Sequence, residues 1–104
     1  MASSAQTPTP PYYAVIFTSV RTEGDNGYSK TAEQMLKLAA EQPGFLGFET
    51  ARQEIGISVS YWSSLEAIAA WKQNNAHRLA QQRAPDWYSQ FRVRVCRVER
   101  EYGF

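Results

Sequence analysis

PGFLGFETARQEIGISVSYWSSLEAIAAWK, residues 43–72, decides the fold. Pro43-Gly44 stops whatever element precedes it. Phe45 to Gln53 (FLGFETARQ) follows as a strand. Glu54-Ile55-Gly56 is too short a link for a crossover, so Ile57 to Trp62 (ISVSYW) returns beside the first strand as a hairpin. Alternation puts Ile57, Val59 and Tyr61 on one face and Ser58, Ser60 and Trp62 on the other. Ser63-Ser64-Leu65-Glu66 fits a capping box, with Ser63 at the N-cap and Glu66 at the third helical position. The helix it opens turns Leu65, Ile68 and Ala69 inward.

N-terminal to this hairpin and helix, Tyr12 to Val20 (YYAVIFTSV) is β-branched and aromatic on both faces, as a strand covered on both sides would be. Thr22 to Gly27 is a turn by composition. Tyr28, Ala32, Met35, Leu36 and Ala39 then form the apolar stripe of a helix that ends at Pro43. On the other side, Asn74-Asn75 are poor helix formers and mark a break before a second helical piece ending at Pro85. Residues 86–89 connect to a last strand, Phe91 to Tyr102. Residues 1–11 (MASSAQTPTPP) are small, polar and Pro-rich and are expected to form a flexible tail. Residues 12–104 form one domain of order β-α-β-β-α-β, the ferredoxin-like arrangement of the α+β class.

Composition narrows the function. Lys+Arg 11 against Asp+Glu 10 gives a net charge of +1, which offers nucleic acid no electrostatic footprint. RNA-binding domains share this element order but carry their aromatic motif on strand three. The nearest match here, Gly44 to Phe48, lies on strand two with the wrong spacing. One Cys and one His exclude an internal disulfide and a Cys/His zinc site. No apolar run reaches the roughly 20 residues of a membrane span, and the first residues lack the basic region and apolar core expected of a signal peptide. The expectation is a soluble, cytoplasmic protein. No GxGxxG, P-loop, GxSxG or HExxH motif occurs.

A ferredoxin-like domain covers one sheet face with helices and leaves the other to solvent or a partner. Strand one is apolar on both faces. The last strand offers Phe91, Val93 and Val95 on one face, then Cys96 and Val98 on the other, a change of phase that implies a bulge or two covered faces. Trp62 projects opposite to Val59 and Tyr61. The face away from the helices is thus expected to be partly apolar and aromatic, and a second copy is its simplest cover, giving a homodimer. Aromatic packing within a lone domain is the alternative.

Aromatic residues make up 13% of the chain. Trp62, Trp71, Trp87, Tyr61 and Tyr88 serve either as core and interface packing or as walls for a flat ligand. His77 is the one side chain that titrates near neutrality, a surface hydrogen-bonding group or a polar group at a pocket mouth. On one continuous helix it would point away from the inward stripe, and a break at Asn74-Asn75 would re-aim it. Arg92 and Arg94 share the face opposite Phe91, Val93 and Val95; ion pairing and solvation explain most of the arginines there, with an anionic ligand as the functional reading. Cys96, in an apolar stretch, is expected to be inert core.

The run Pro43 to Glu49, the strand ending Ser60-Tyr61-Trp62, the helix with Trp71-Lys72, His77, and the stretch from Trp87-Tyr88 to Tyr102 together resemble the antibiotic biosynthesis monooxygenase superfamily, over residues 12–104. The resemblance implies a dimeric α+β barrel of two ferredoxin-like protomers, each with a pocket between sheet and helices. Members include cofactor-independent oxygenases of polycyclic phenols and haem-degrading enzymes. The haem branch resembles this chain at Trp62 but needs a His near Gln81 and an Asn on strand one, neither of which is present. The resemblance therefore favours oxidation of a small aromatic, phenolic or quinone-like molecule by oxygen, without metal, flavin or haem. His77, Trp62 and Asn74 are the implied catalytic residues, with Tyr61, Trp71, Trp87, Tyr88 and Arg94 around the substrate. A dimeric ligand-binding or stress-related domain without turnover is the competing expectation, and haem binding or degradation through a shifted His77 is the third.

Overall fold

The computed structural model describes residues 3–104. In chain order the elements are β1 (Tyr12–Arg21), α1 (Tyr28–Ala40), β2 (Phe45–Arg52), β3 (Gly56–Trp62), α2 (Leu65–Gln73), α3 (Asn75–Gln82), α4 (Ala84–Trp87) and β4 (Tyr88–Val98). The strands form one antiparallel sheet in the order β2-β3-β1-β4, which is the ferredoxin-like topology. Apolar β1 takes a central position, where both its edges are paired.

Register assigns the faces, because residues directly opposite in an antiparallel pair project to the same side. Tyr13 stands opposite Trp62, which stands opposite Phe45. Trp62 also meets Trp71 of α2, so this row faces the helices. The helix-side face of β1 and β4 is then Tyr13, Val15, Phe17, Ser19 and Arg21 beside Arg97, Val95, Val93, Phe91 and Tyr88. The far face carries Tyr12, Ala14, Ile16 and Thr18, with Ile57, Val59 and Tyr61 of β3 and Cys96, Arg94 and Arg92 of β4. Trp62 therefore does not contribute to the face away from the helices. Its indole is completely buried on the helix side, where Phe45 and Trp71 can enclose it.

Several local expectations shift in frame. The β1–β4 register is continuous through Val95 and Cys96, so the phase change there is no bulge; the irregularity falls at Val20/Arg21. β4 is apolar on both faces in that region, and Cys96 is exposed on the far face rather than inside a core. β4 also begins at Tyr88 and ends at Val98, three to four residues earlier at each end than composition suggests. Its length follows its partner: Tyr12, the first residue of β1, pairs with Val98. The α2 cap is Ser64, whose hydroxyl accepts from the Ala67 amide at 3.0 Å, while the Ser63 amide donates to the Gly44 carbonyl at 2.8 Å. Pro85 starts the short α4 rather than ending a helix, since proline costs little in a first turn. On α1 the less exposed positions are Tyr28, Thr31, Met35, Leu38 and Ala39, and Leu36 lies outside the stripe at 39% exposure. Spacings of three and four keep a straight stripe, whereas 28, 32 and 36 drift around the helix.

Residues 3–11 form no helix or strand but bond to the domain. The Ala5 amide donates to Glu49 Oε2 at 2.9 Å, and Thr7 and Tyr12 share Glu101 as an acceptor. Among the described residues no helix is long and apolar enough to cross a membrane.

Candidate active site

The residues singled out from sequence fall into three separate groups. Trp62, Trp71, His77 and Asn74 form the first. Trp62 meets Phe45 edge-on with centroids 5.4 Å apart and lies near-parallel to Trp71 at 6.4 Å. Trp71 in turn stacks on His77 at 4.2 Å with an interplanar angle of 12°. The expected break supplies this geometry. α2 ends at Gln73, and Asn74 in extended conformation turns the chain before α3. Asn74 Oδ1 accepts from the amides of Ala76 and His77 at 3.0 and 3.3 Å, capping α3. The turn brings His77 back over Trp71, where Nδ1 lies 3.0 Å from the Trp71 carbonyl.

A carbonyl only accepts, so Nδ1 carries the proton and Nε2 keeps its lone pair. Gln81 Nε2 lies 3.5 Å from that nitrogen. Burial pushes the His77 pKa below its usual value, and the bond to Trp71 opposes this only in part. The ring is neutral at physiological pH and offers a base. The first group nevertheless packs on itself: Trp62 has no exposed surface, and its Nε1–H donates to Ser60 Oγ at 2.9 Å.

Trp87 and Tyr88 belong to a second group, also on the helix side. Tyr88 stands opposite Arg21 and Trp62 opposite Tyr13, so the groups sit at opposite ends of β1, about 26 Å apart along the strand. Trp87 is a structural anchor: it is buried, its Nε1–H donates to the Asn26 carbonyl at 3.0 Å, and its own carbonyl accepts from Thr22 and Arg21. Tyr88 meets Phe17 and Tyr28 edge-on at 5.2 and 5.6 Å, and Phe91 lies 5.9 Å from Phe17. Burial and a hydrogen bond with Tyr28 raise the Tyr88 pKa.

Tyr61 and Arg94 lie on the far face, separated by the sheet from His77. Tyr61 packs edge-on against Tyr12 at 5.9 Å and donates to Glu49 Oε1 at 2.5 Å. Burial, then that bond, raises the Tyr61 pKa, and the same bond lowers that of Glu49. Arg94 stands opposite Ile16.

Between the two helix-side groups lies a row that composition alone does not single out as ligand-facing. Phe91, Val93 and Val95 point toward the helix layer yet are 54%, 50% and 49% exposed. α3 packs chiefly on α1, α2 and α4, and its less exposed positions are Ala76, His77 and Ala80. The helix mainly in contact with β4 is the short α4, next to its Tyr88 end, and the row stays uncovered; Leu79, the one long apolar side chain of α3, is 64% exposed. The alternation of Phe91, Val93 and Val95 is visible in sequence; that no long helix covers it depends on tertiary placement. Among the described residues no group of three or more His, Cys, Asp or Glu side chains could hold a metal ion.

Comparison with known proteins agrees with this architecture. Residues 11–83 match the model of the antibiotic biosynthesis monooxygenase family. The chain is 50% identical over 103 residues to the uncharacterized protein YqjZ of Bacillus subtilis, covering 96% of this chain and 90% of that one. A variant of SnoaB, a cofactor-independent oxygenase from Streptomyces nogalater, superposes with a TM-score of 0.75 at 9% identity, over 88% of this chain and 95% of that one. Protein SO0527 from Shewanella oneidensis does so with 0.73 at 12% identity, over 85% and 91%. The structural likenesses show the fold, and the match over most of the sequence shows the kinship: the chain belongs to the antibiotic biosynthesis monooxygenase family.

Proposed function

We propose that this chain is a cofactor-independent monooxygenase that oxidises a small phenolic molecule held between its sheet and its helices. The observation that carries the proposal is the half-exposed row Phe91, Val93 and Val95, an apolar surface on the helix side that the chain's own helices leave open. SnoaB, of the same fold, is a cofactor-independent oxygenase. Neutral His77, with Nε2 as acceptor, is the group suited to take a phenol proton. The resulting phenolate is electron-rich enough to react with oxygen, and insertion of one oxygen atom with release of the other as water yields a quinone. Trp71 holds the imidazole plane and Asn74 fixes the turn that places it.

The test is oxygen uptake with a naphthol or anthrone-type phenol. Wild-type protein is expected to consume oxygen in proportion to phenol converted, and His77→Ala to reduce the rate by about 100-fold, the lower range for loss of a general base. Unchanged uptake in His77→Ala and in Trp62→Phe removes this reading.

A second reading has its own observation. The stack of Trp62, Trp71 and His77 fills its own space and Trp62 offers no surface to a ligand, as a binding domain without turnover would allow. Saturable binding of the same phenols with no oxygen consumed favours it.

A further inference from the structure

At the Tyr88 end of the helix-side row the sheet face turns cationic. The charged strand residues at this end are Arg21 and Arg52, with no carboxylate between them; Arg97, the face's other arginine, stands opposite Tyr13 at the far end. Ser19 and Arg21 are neighbours on that face, about 7 Å apart. Arg52 reaches across β3 to the same place: Nη1 and Nη2 donate to the Ser19 carbonyl and hydroxyl at 3.3 and 2.5 Å. It can do so because position 56 is glycine. A Cβ there would stand 2.1 Å from the Arg52 guanidinium carbon.

Arg21 is fixed by donation from Nε to the Trp87 carbonyl at 2.9 Å and from Nη2 to the Gly24 carbonyl at 3.2 Å, and it lies 3.5 Å over the Tyr28 ring. The ion pairs among the described residues are Lys37–Glu33 and Arg83–Asp86, so neither Arg21 nor Arg52 has a carboxylate in contact. The nearby Asp25 accepts from Ser29. Each guanidinium has five N–H donors and spends two on the protein. Both cations act on the Tyr88 phenol, whose ring packs on Phe17.

We propose that Arg21 and Arg52 form an anion-binding site that recognises the carboxylate of an aromatic acid, with the ring of that acid lying on Phe17 and Phe91. Two fixed cations with spare donors, oriented before any ligand arrives and set beside an uncovered aromatic surface, match an anionic head on a flat apolar body. The proposal rests on the helix-side row being the ligand surface and adds the charge of the ligand.

Calorimetric titration of the full chain with 2-naphthoate and with its neutral isostere 2-naphthamide tests it. Wild-type protein is expected to bind the acid about tenfold more tightly than the amide, as one charge-assisted contact allows. The preference should fall to about twofold in Arg52→Gln and return in part in Arg52→Lys, a point charge without the fork geometry. Equal affinity for acid and amide in wild-type protein overturns the anion site whether or not any variant folds. A preference that survives intact in folded Arg52→Gln overturns it too. If acid and amide bind equally and Val93→Glu abolishes both, the row remains the ligand surface and the anion site alone is lost. If neither compound binds, the row and the anion site fail together.

Discussion

At the residue scale, His77 shows how one side chain is set by its surroundings. Burial disfavours the charged imidazole, so the folded pKa lies below its usual value of 6.5. The unfolded chain therefore binds more protons than the folded one between the two pKa values, and stability falls as pH drops through that window. The contribution is fully present above about pH 6.5. Glu49, lowered first by its bond from Tyr61, adds a second loss on further acidification, below its usual value of 4.5. Melting temperature measured from pH 7.5 to pH 5 should decline in wild-type protein and be flatter in His77→Gln. A wild-type curve that stays level across that range contradicts the burial of a neutral ring. That a lone His exists was plain from the sequence, and so was the break that re-aims it. Its stacking on Trp71 was not legible, because it depends on the angle between α2 and α3, which no periodicity encodes. Gly56 is similar: composition marks it as a turn residue, while its use as a bed for Arg52 requires β2 and β3 to be paired.

At the element scale, alternation and turn chemistry carried the fold. The hairpin and the order of strands and helices follow from residues 43–72 and their flanks, because strand and helix periods differ and Pro43-Gly44 separates them cleanly. Frames within elements were less legible. Ser63 and Ser64 are chemically equal as caps, and what selects Ser64 is that the Ser63 amide is already bonded to the Gly44 carbonyl. The site is affected in the same way. Alternation correctly separates Tyr61 from Trp62, but only the sheet register tells which of the two faces the helices. Asn74 is the element boundary on which the first group depends. Its side chain satisfies two otherwise unpaired amides, so Asn74→Ala should lower unfolding free energy by about 1 kcal/mol, while Asn74→Asp, also a good cap, should leave it within a few tenths. Urea denaturation of the two variants measures this. Equal losses in both would mean that the cap oxygen is not what holds the turn.

At the scale of the whole molecule, the two sheet faces pose different demands. The helix side leaves Phe91, Val93 and Val95 half-exposed, whereas the far face has an uncovered apolar area of its own. It presents Val59 and Ile16, half-buried, with Ile57 at 47% exposure and an exposed Cys96, and α1 to α4 all lie on the opposite side. Residues 3–11 and Glu101 dress only the end around Tyr12 and Tyr61. Arg92 and Arg94 stand on edge strand β4, so charge borders the apolar centre instead of interrupting it. An apolar centre with a charged rim is the build of a protein interface, and a twofold axis lets one such patch cover its copy. We therefore expect light scattering coupled to size exclusion to return twice the chain mass. Val59→Asp, placed at the centre, should give the chain mass with circular dichroism unchanged, since the far face of a monomer tolerates a carboxylate in water. Ser58→Asp, its neighbour pointing to the helix side, should remain dimeric. Chain mass for the wild-type protein at micromolar concentration would leave the far face to the solvent. It would also restrict any ligand to the helix side of a single protomer.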